Sequence, residues 1–149
     1  MKRKSNDKPG KAVKLFFKSM NCSQAVLEVF ASSFGMEAVT ARKIAAAFAG
    51  GMGRGSECGA VTGALMVIGM RYGKNKAKDA KADEKTFAKG AEFIKEFKAR
   101  HLQVKCSALL GINMGTPEGV KKAEQMGYFT SRCPNYVSSS VEILEKLLD

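Results

Sequence analysis

Four cysteines stand singly along the chain, Cys22, Cys58, Cys106 and Cys133. Each is followed by an apolar or small-residue run: AVLEVF, GAVTGALMVIGM, SALLG and, after Pro134, NYV. That pattern places each thiol at the start of a helix. The first helical turn offers unpaired N–H donors and the positive end of the helix dipole, so a thiol there ionises more readily. The thiolate is the form that attacks, oxidises or binds metal. Four such placements in a chain with one histidine point to thiolate chemistry, either redox or metal-binding. None of the four belongs to a CxxC pair, which removes the thioredoxin motif, the zinc ribbon and haem attachment. A site would have to be assembled from distant helices, and sequence does not choose among the three possible pairings. The competing reading is packing, because a free buried cysteine behaves as a small hydrophobe.

The densest constellation surrounds Cys58, in the run GMGRGSECGAVTG from Gly51 to Gly63. Glycines before a helix allow positive φ and a close approach of backbone to a ligand. The helix start that follows suits an anion, a thiolate or the sulfides of a cluster. Gly53, Arg54, Gly55 and Gly59 are the candidate ligand-binding positions, with Arg54 adding charge and Gly59 leaving space beside the Cys58 sulfur. Cys58 is the expected reactive thiolate, opposed by its place on the apolar Val61–Leu65 stripe. The P-loop pattern GxxxxGK[ST] is absent, and no strand precedes the loop as a dinucleotide fingerprint requires. His101 extends an apolar stripe and reads as a core residue rather than a base or ligand. The eight methionines fall largely at core-facing positions, which packing explains better than copper.

With 149 residues the chain has the size of one domain, residues 1–149, and can bury a core without staples. The net charge of +11 comes mostly from lysine. Lys2, Arg3, Lys4, Lys8, Lys11, Lys14 and Lys18 crowd a basic segment 1–18, and Lys74, Lys76, Lys78 and Lys81 crowd the middle. Such charge suits nucleic acid, an acidic partner or an anionic membrane surface, although solvated, lysine-rich helix faces are the better account of it. No nucleic-acid recognition motif accompanies it. The longest apolar stretch, Ala60 to Met70, is far short of the roughly 20 residues that span a bilayer. No signal-peptide pattern follows the basic start. These features predict a soluble, cytoplasmic protein, where scattered cysteines favour metal or catalytic roles over structural disulfides.

Every periodic segment reads as helix. Val13, Phe16, Phe17 and Met20 share one face, behind the start residues Asp7 and Pro9. A second helix runs from Cys22, capped by Asn21, to about Gly35. A third covers Glu37 to Phe48 with Ala41, Ile44, Ala45 and Phe48 on one face. The fourth, from Glu57 to Tyr72, is apolar on two faces and so central and buried. Gly73 to Asp83 reads as a solvated connection. A fifth helix carries Phe87, Gly90, Ile94, Phe97 and His101. Short helices follow at Cys106 and at Thr116-Pro117-Glu118, and a last one begins at Cys133-Pro134 with Val137, Val141, Leu144 and Leu148 inward. The expected fold is all-α, about seven or eight helices around a central buried one.

The residues resemble the C-GCAxxG-C-C family of redox-active proteins. Its signature is a lone cysteine, a glycine-rich loop running into CGAxxG, and two more lone cysteines. Here these are Cys22 in NCSQAVLEVF, Cys58 in AGGMGRGSECGAVTGALMVIGMRYG, Cys106 in KCSALLG and Cys133 in RCPNYV. The resemblance covers about residue 20 to the end and leaves the basic start outside. It implies a helical redox protein with four linked cysteines, an unidentified redox partner, and genes often beside transporter genes. Three readings follow: thiol–disulfide chemistry by converging cysteines, a Cys-ligated zinc or iron–sulfur protein using the same four residues, and a non-enzymatic helical module with a basic surface. Both chemical readings require at least three sulfurs to meet in one site.

Overall fold

The computed structural model describes residues 7–148. Lys2, Arg3 and Lys4 of the basic segment lie outside the described residues. The described chain is all-α, as expected, and local sequence sets most helix starts. Asp7 opens α1 (Lys8–Phe17), its carboxylate accepting the Gly10 N–H at 3.0 Å. Asn21 precedes α2 (Cys22–Ala31), and its own N–H donates to Gln24 Oε1 at 3.0 Å. Thr116 caps α7 (Pro117–Gln125) by accepting the Gly119 N–H at 3.1 Å, with Pro117 in the first turn. These are the residue types that satisfy orphan donors at helix starts.

Between them lie α3 (Ala38–Ala45), α4 (Gly59–Tyr72), α5 (Ala80–His101) and α6 (Cys106–Leu110). A single turn, α8 (Tyr128–Ser131), follows α7 and leads into the final helix α9 (Cys133–Leu147). Helix α4 packs against α2, α5 and α9, while α1 lies across α9 and α2. Val61, Val67, Ile68, Phe93, Phe97 and Val141 are fully buried in this main core. A smaller cluster of Leu110, Met114 and Ala123 joins α6 to α7, with Cys106, Phe129 and Cys133 against it.

Several expected faces are displaced. Helix α1 stops at Phe17, and Ser19 turns to φ 70°, so Met20 leaves the stripe. Helix α3 tightens into a 3-10 turn at Ala46–Phe48; Ala41 and Ala45 are buried but Ile44 is 50% exposed. The solvated connection is shorter than expected, because Asp79 accepts the Ala82 N–H at 3.1 Å and starts α5 early. Along α5 the buried face is Gly90, Phe93 and Phe97, and Phe87 is 77% exposed. Helix α8 was not expected, since a four-residue turn carries no periodicity.

The contact between α2 and α4 is the most extensive in the fold, and glycine permits its close approach. A Cβ at Gly63 would stand 2.8 Å from the Ser23 carbonyl oxygen and 3.2 Å from Ser23 Cα. A Cβ at Gly59 would collide with Cys22 Sγ. The glycine therefore makes room for the sulfur of Cys22, across the helix pair, rather than for that of Cys58. Gly69, on the same helix, has nothing within 4 Å of the equivalent position. Gly63→Ala is expected to destabilise the protein by about 1–3 kcal/mol, since backbone must move to admit the methyl. Gly69→Ala should stabilise it by up to about 1 kcal/mol through helix propensity. Urea unfolding of the two variants beside the parent checks both signs.

Candidate functional site

All four cysteines occupy helix starts. Cys22, Cys106 and Cys133 are the first residues of α2, α6 and α9, and Cys58 is the N-cap of α4. They come together around one cavity of about 620 Å³, whose lining includes all four. Two pieces of backbone bring them there. The first is the glycine loop. Gly50, Gly51, Met52 and Gly53 all have positive φ, which makes a left-handed turn. Met52 at φ 61° carries a cost of about 1–2 kcal/mol that glycine would not. The turn closes with the Ser56 N–H donating to the Gly51 carbonyl at 3.0 Å.

The second is a short antiparallel bridge between Glu57 and Lys105. In it the Cys58 N–H donates to the Val104 carbonyl at 2.8 Å, and the Cys106 N–H to the Ser56 carbonyl at 2.7 Å. The starts of α4 and α6 are thus tied side by side. Gly55 fits beneath α6 because a Cβ there would collide with the Ser107 hydroxyl, which accepts the Met114 N–H at 2.9 Å. Cys133 enters from α9, where Tyr136 donates to the Leu109 carbonyl at 3.1 Å and so holds α9 against α6.

The four thiols experience different fields. Cys22 is drawn down from 9.0 to about 7, first because the Cys58 thiol donates a hydrogen bond to its sulfur. The backbone N–H groups of Gly50, Ser23 and Cys22 itself add to this, and burial opposes it. Cys58 is pushed well above 9.0: it keeps its proton as donor to Cys22, and burial and the Cys22 charge act in the same sense. The single Ala60 N–H offsets only part of this. Burial, then the Cys22 charge, raises Cys106 to about 11. Burial, then the charges of Cys22 and Cys106, raises Cys133 to about 12. The expectation that Cys58 is the most acidic thiol is therefore corrected to Cys22. Three backbone donors reach Cys22 and one reaches Cys58, and a helix start without enough donors does not overcome desolvation.

The other candidate positions separate. Gly53 and Gly59 border the cavity. Arg54 is exposed, and neither it nor Gly55 is in the lining. Phe16, Phe17, Phe129 and Tyr136 also form the wall, none of them singled out by sequence, because no periodic signal marks which apolar side chain faces a void. His101 stands apart from the lining. Its ring packs 4.7 Å from Phe97 and 4.9 Å from Tyr136, with Nε2 2.8 Å from the Ser139 hydroxyl oxygen.

Among the described residues no three His, Cys, Asp or Glu side chains are grouped closely enough to hold a metal ion. The cysteines share a cavity without forming the compact set of thiolates that a zinc site needs. Also among the described residues, no helix is long and apolar enough to cross a membrane.

No curated protein and no solved structure matches the chain. A family model described as "Putative redox-active protein (C_GCAxxG_C_C)" matches residues 20–147, from the residue before Asn21 through the end of α9, and so takes in every cysteine of the cavity. The chain belongs to that family.

Proposed function

We propose that this protein performs thiol–disulfide redox chemistry, with Cys22 as the attacking thiolate and Cys58 as its resolving partner. The observation that carries this reading is that Cys22 and Cys58, at the starts of the packed helices α2 and α4, stand in the wall of one cavity that also holds the other two cysteines. A thiolate of pKa near ambient pH combines a large ionised fraction with good nucleophilicity. Its neighbour, Cys58, is a thiol that holds its proton. After Cys22 has bonded to an acceptor sulfur, the negative charge that held Cys58 protonated is gone. Cys58 then gives up its proton and attacks the Cys22 sulfur, closing a disulfide. Two electrons pass to the acceptor. Cys106 and Cys133 line the same space and, in this reading, take over that disulfide by exchange.

Alkylation of the reduced, metal-free protein across a pH series, with each site assigned by mass spectrometry, tests the ranking. Cys22 is expected to label with a midpoint near pH 7, and its labelling falls as pH drops through that value because the thiolate is lost. At neutral pH such a thiol is about half ionised, against about one per cent for a thiol left at 9.0. Cys106 and Cys133 should label only in strongly alkaline solution. Equal labelling of Cys22 and Cys58 at neutral pH would remove the nucleophile assignment.

Cys58→Ala deletes the leading cause of the Cys22 shift, so the Cys22 midpoint should rise toward 9.0. Mild oxidation of the parent should yield a Cys22–Cys58 disulfide in peptide maps, and the Cys106→Ser, Cys133→Ser double variant should still form it. Oxidation that joins only Cys106 to Cys133 contradicts the proposed pair.

A further inference from the structure

Apart from the Cys22 thiolate, the cavity wall carries no charge. Among the described residues, none that lines it is Lys, Arg, His, Asp or Glu. This holds in a chain with 26% charged residues and a net charge of +11. The wall consists of the thiols, glycine and alanine, a few hydroxyl and amide groups, and large apolar side chains such as Phe16, Phe17, Leu109, Met114 and Phe129. Its volume of about 620 Å³ is that of a small-molecule site. Burying an ion against such a wall without a partner is strongly unfavourable.

Two further observations narrow the occupant. Cys58 is only 6% exposed, while Cys22 is half-buried in the cavity wall. The pair is recessed in the cavity, and a small acceptor that enters it reaches both sulfurs more readily than the disulfide of a folded protein does. Phe16 and Phe17 belong to α1, which precedes the family-matched segment 20–147. One side of the wall is thus supplied from outside the part of the chain that carries the thiols.

We infer that the acceptor this cavity takes is a small, uncharged, apolar disulfide, selected in part by Phe16 and Phe17 of α1. The inference rests on the thiol–disulfide reading above and adds the substrate class. The Cys22 thiolate attacks one substrate sulfur, the substrate S–S bond breaks, and one alkyl thiolate leaves and takes a proton from solvent. Cys58 then attacks the Cys22 sulfur, and the second alkyl thiolate leaves with the proton that Cys58 gives up. One substrate disulfide becomes two thiols, and two protein thiols become one disulfide. A peroxide is a poorer fit: its leaving hydroxide or alkoxide is far more basic than a thiolate, and the lining offers no cationic donor to stabilise it.

The test uses the full-length reduced protein and four disulfides: dipropyl disulfide, bis(2-hydroxyethyl) disulfide, dicationic cystamine and dianionic dithiodiglycolate. Each Cys22 oxidation rate is divided by the rate of a small free thiol with the same reagent, which cancels intrinsic reactivity. Dipropyl disulfide should show a normalised rate about tenfold or more above the other three. The dianion is the stringent control, because the net charge of +11 draws it in. Phe17 is 56% exposed, so Phe17→Ala leaves the core intact and should shrink the dipropyl preference about threefold. A charged or hydroxylated disulfide reacting as fast as dipropyl disulfide after normalisation overturns the substrate class while leaving the redox reading standing. Failure of Cys22 to react with any of the four, with no Cys22–Cys58 disulfide formed, overturns the redox reading itself.

Discussion

The structure depends on how closely α2 can approach α4. Ordinary helix pairs are held apart by their side chains at about 8–10 Å between axes. Here Gly59 and Gly63 remove those side chains along one edge of α4, and the Ser23 backbone and the Cys22 sulfur fill the space. The buried Ser23 hydroxyl, donating to the Ala45 carbonyl at 2.8 Å, fixes the far side of α2 to the end of α3. Because Cys22 and Cys58 sit at the starts of the two helices, closing this seam brings the two thiols to one cavity wall. The GxxxG spacing of the CGAxxG motif is thus a packing device whose product is a chemical pair.

The ordering of the thiols follows from a contest between desolvation and donors. All four cysteines are at helix starts, yet only Cys22 is shifted downward. A helix terminus contributes on the order of 1 kcal/mol to a nearby anion, whereas burial can move a pKa by several units. The dipole alone therefore loses. What rescues Cys22 is the convergence of a neighbouring thiol with the Gly50 N–H, delivered by the left-handed turn. Once Cys22 is ionised, its charge raises the other three, so a single negative charge occupies the site. Tyr136 is raised as well, first by burial and then by Cys133.

The cavity lies where two packing clusters meet. Cys22 and Cys58 belong with the main core, Cys106 and Cys133 with the smaller cluster of α6 to α8, and Tyr136 touches both. Its mouth carries apolar side chains that are open to solvent, among them Phe17 and Val120. Helix α1 closes part of that mouth while using its buried residue Ala12 against the core. Among the described residues, α1 thus has its structural place chiefly through its apolar face, with Lys8 over the Phe30 ring.

The sequence by itself determined the all-α fold, most helix starts and the four thiols at those starts, because capping chemistry and apolar periodicity are local properties. Asp7, Asn21 and the Thr116-Pro117 pair act on neighbours within one turn. It misjudged the exposed Phe87 and the buried Phe93, since both fit an apolar stripe and only the position of α4 and α9 decides which is covered. It also named Cys58 rather than Cys22 as the acidic thiol. The donors responsible come from Gly50 and Cys58, dozens of residues from Cys22 in the chain but against it in space. The position of a thiol on its own helix is legible locally. Its pKa is set by which other groups the tertiary fold brings to the sulfur, and by how much water that fold takes away.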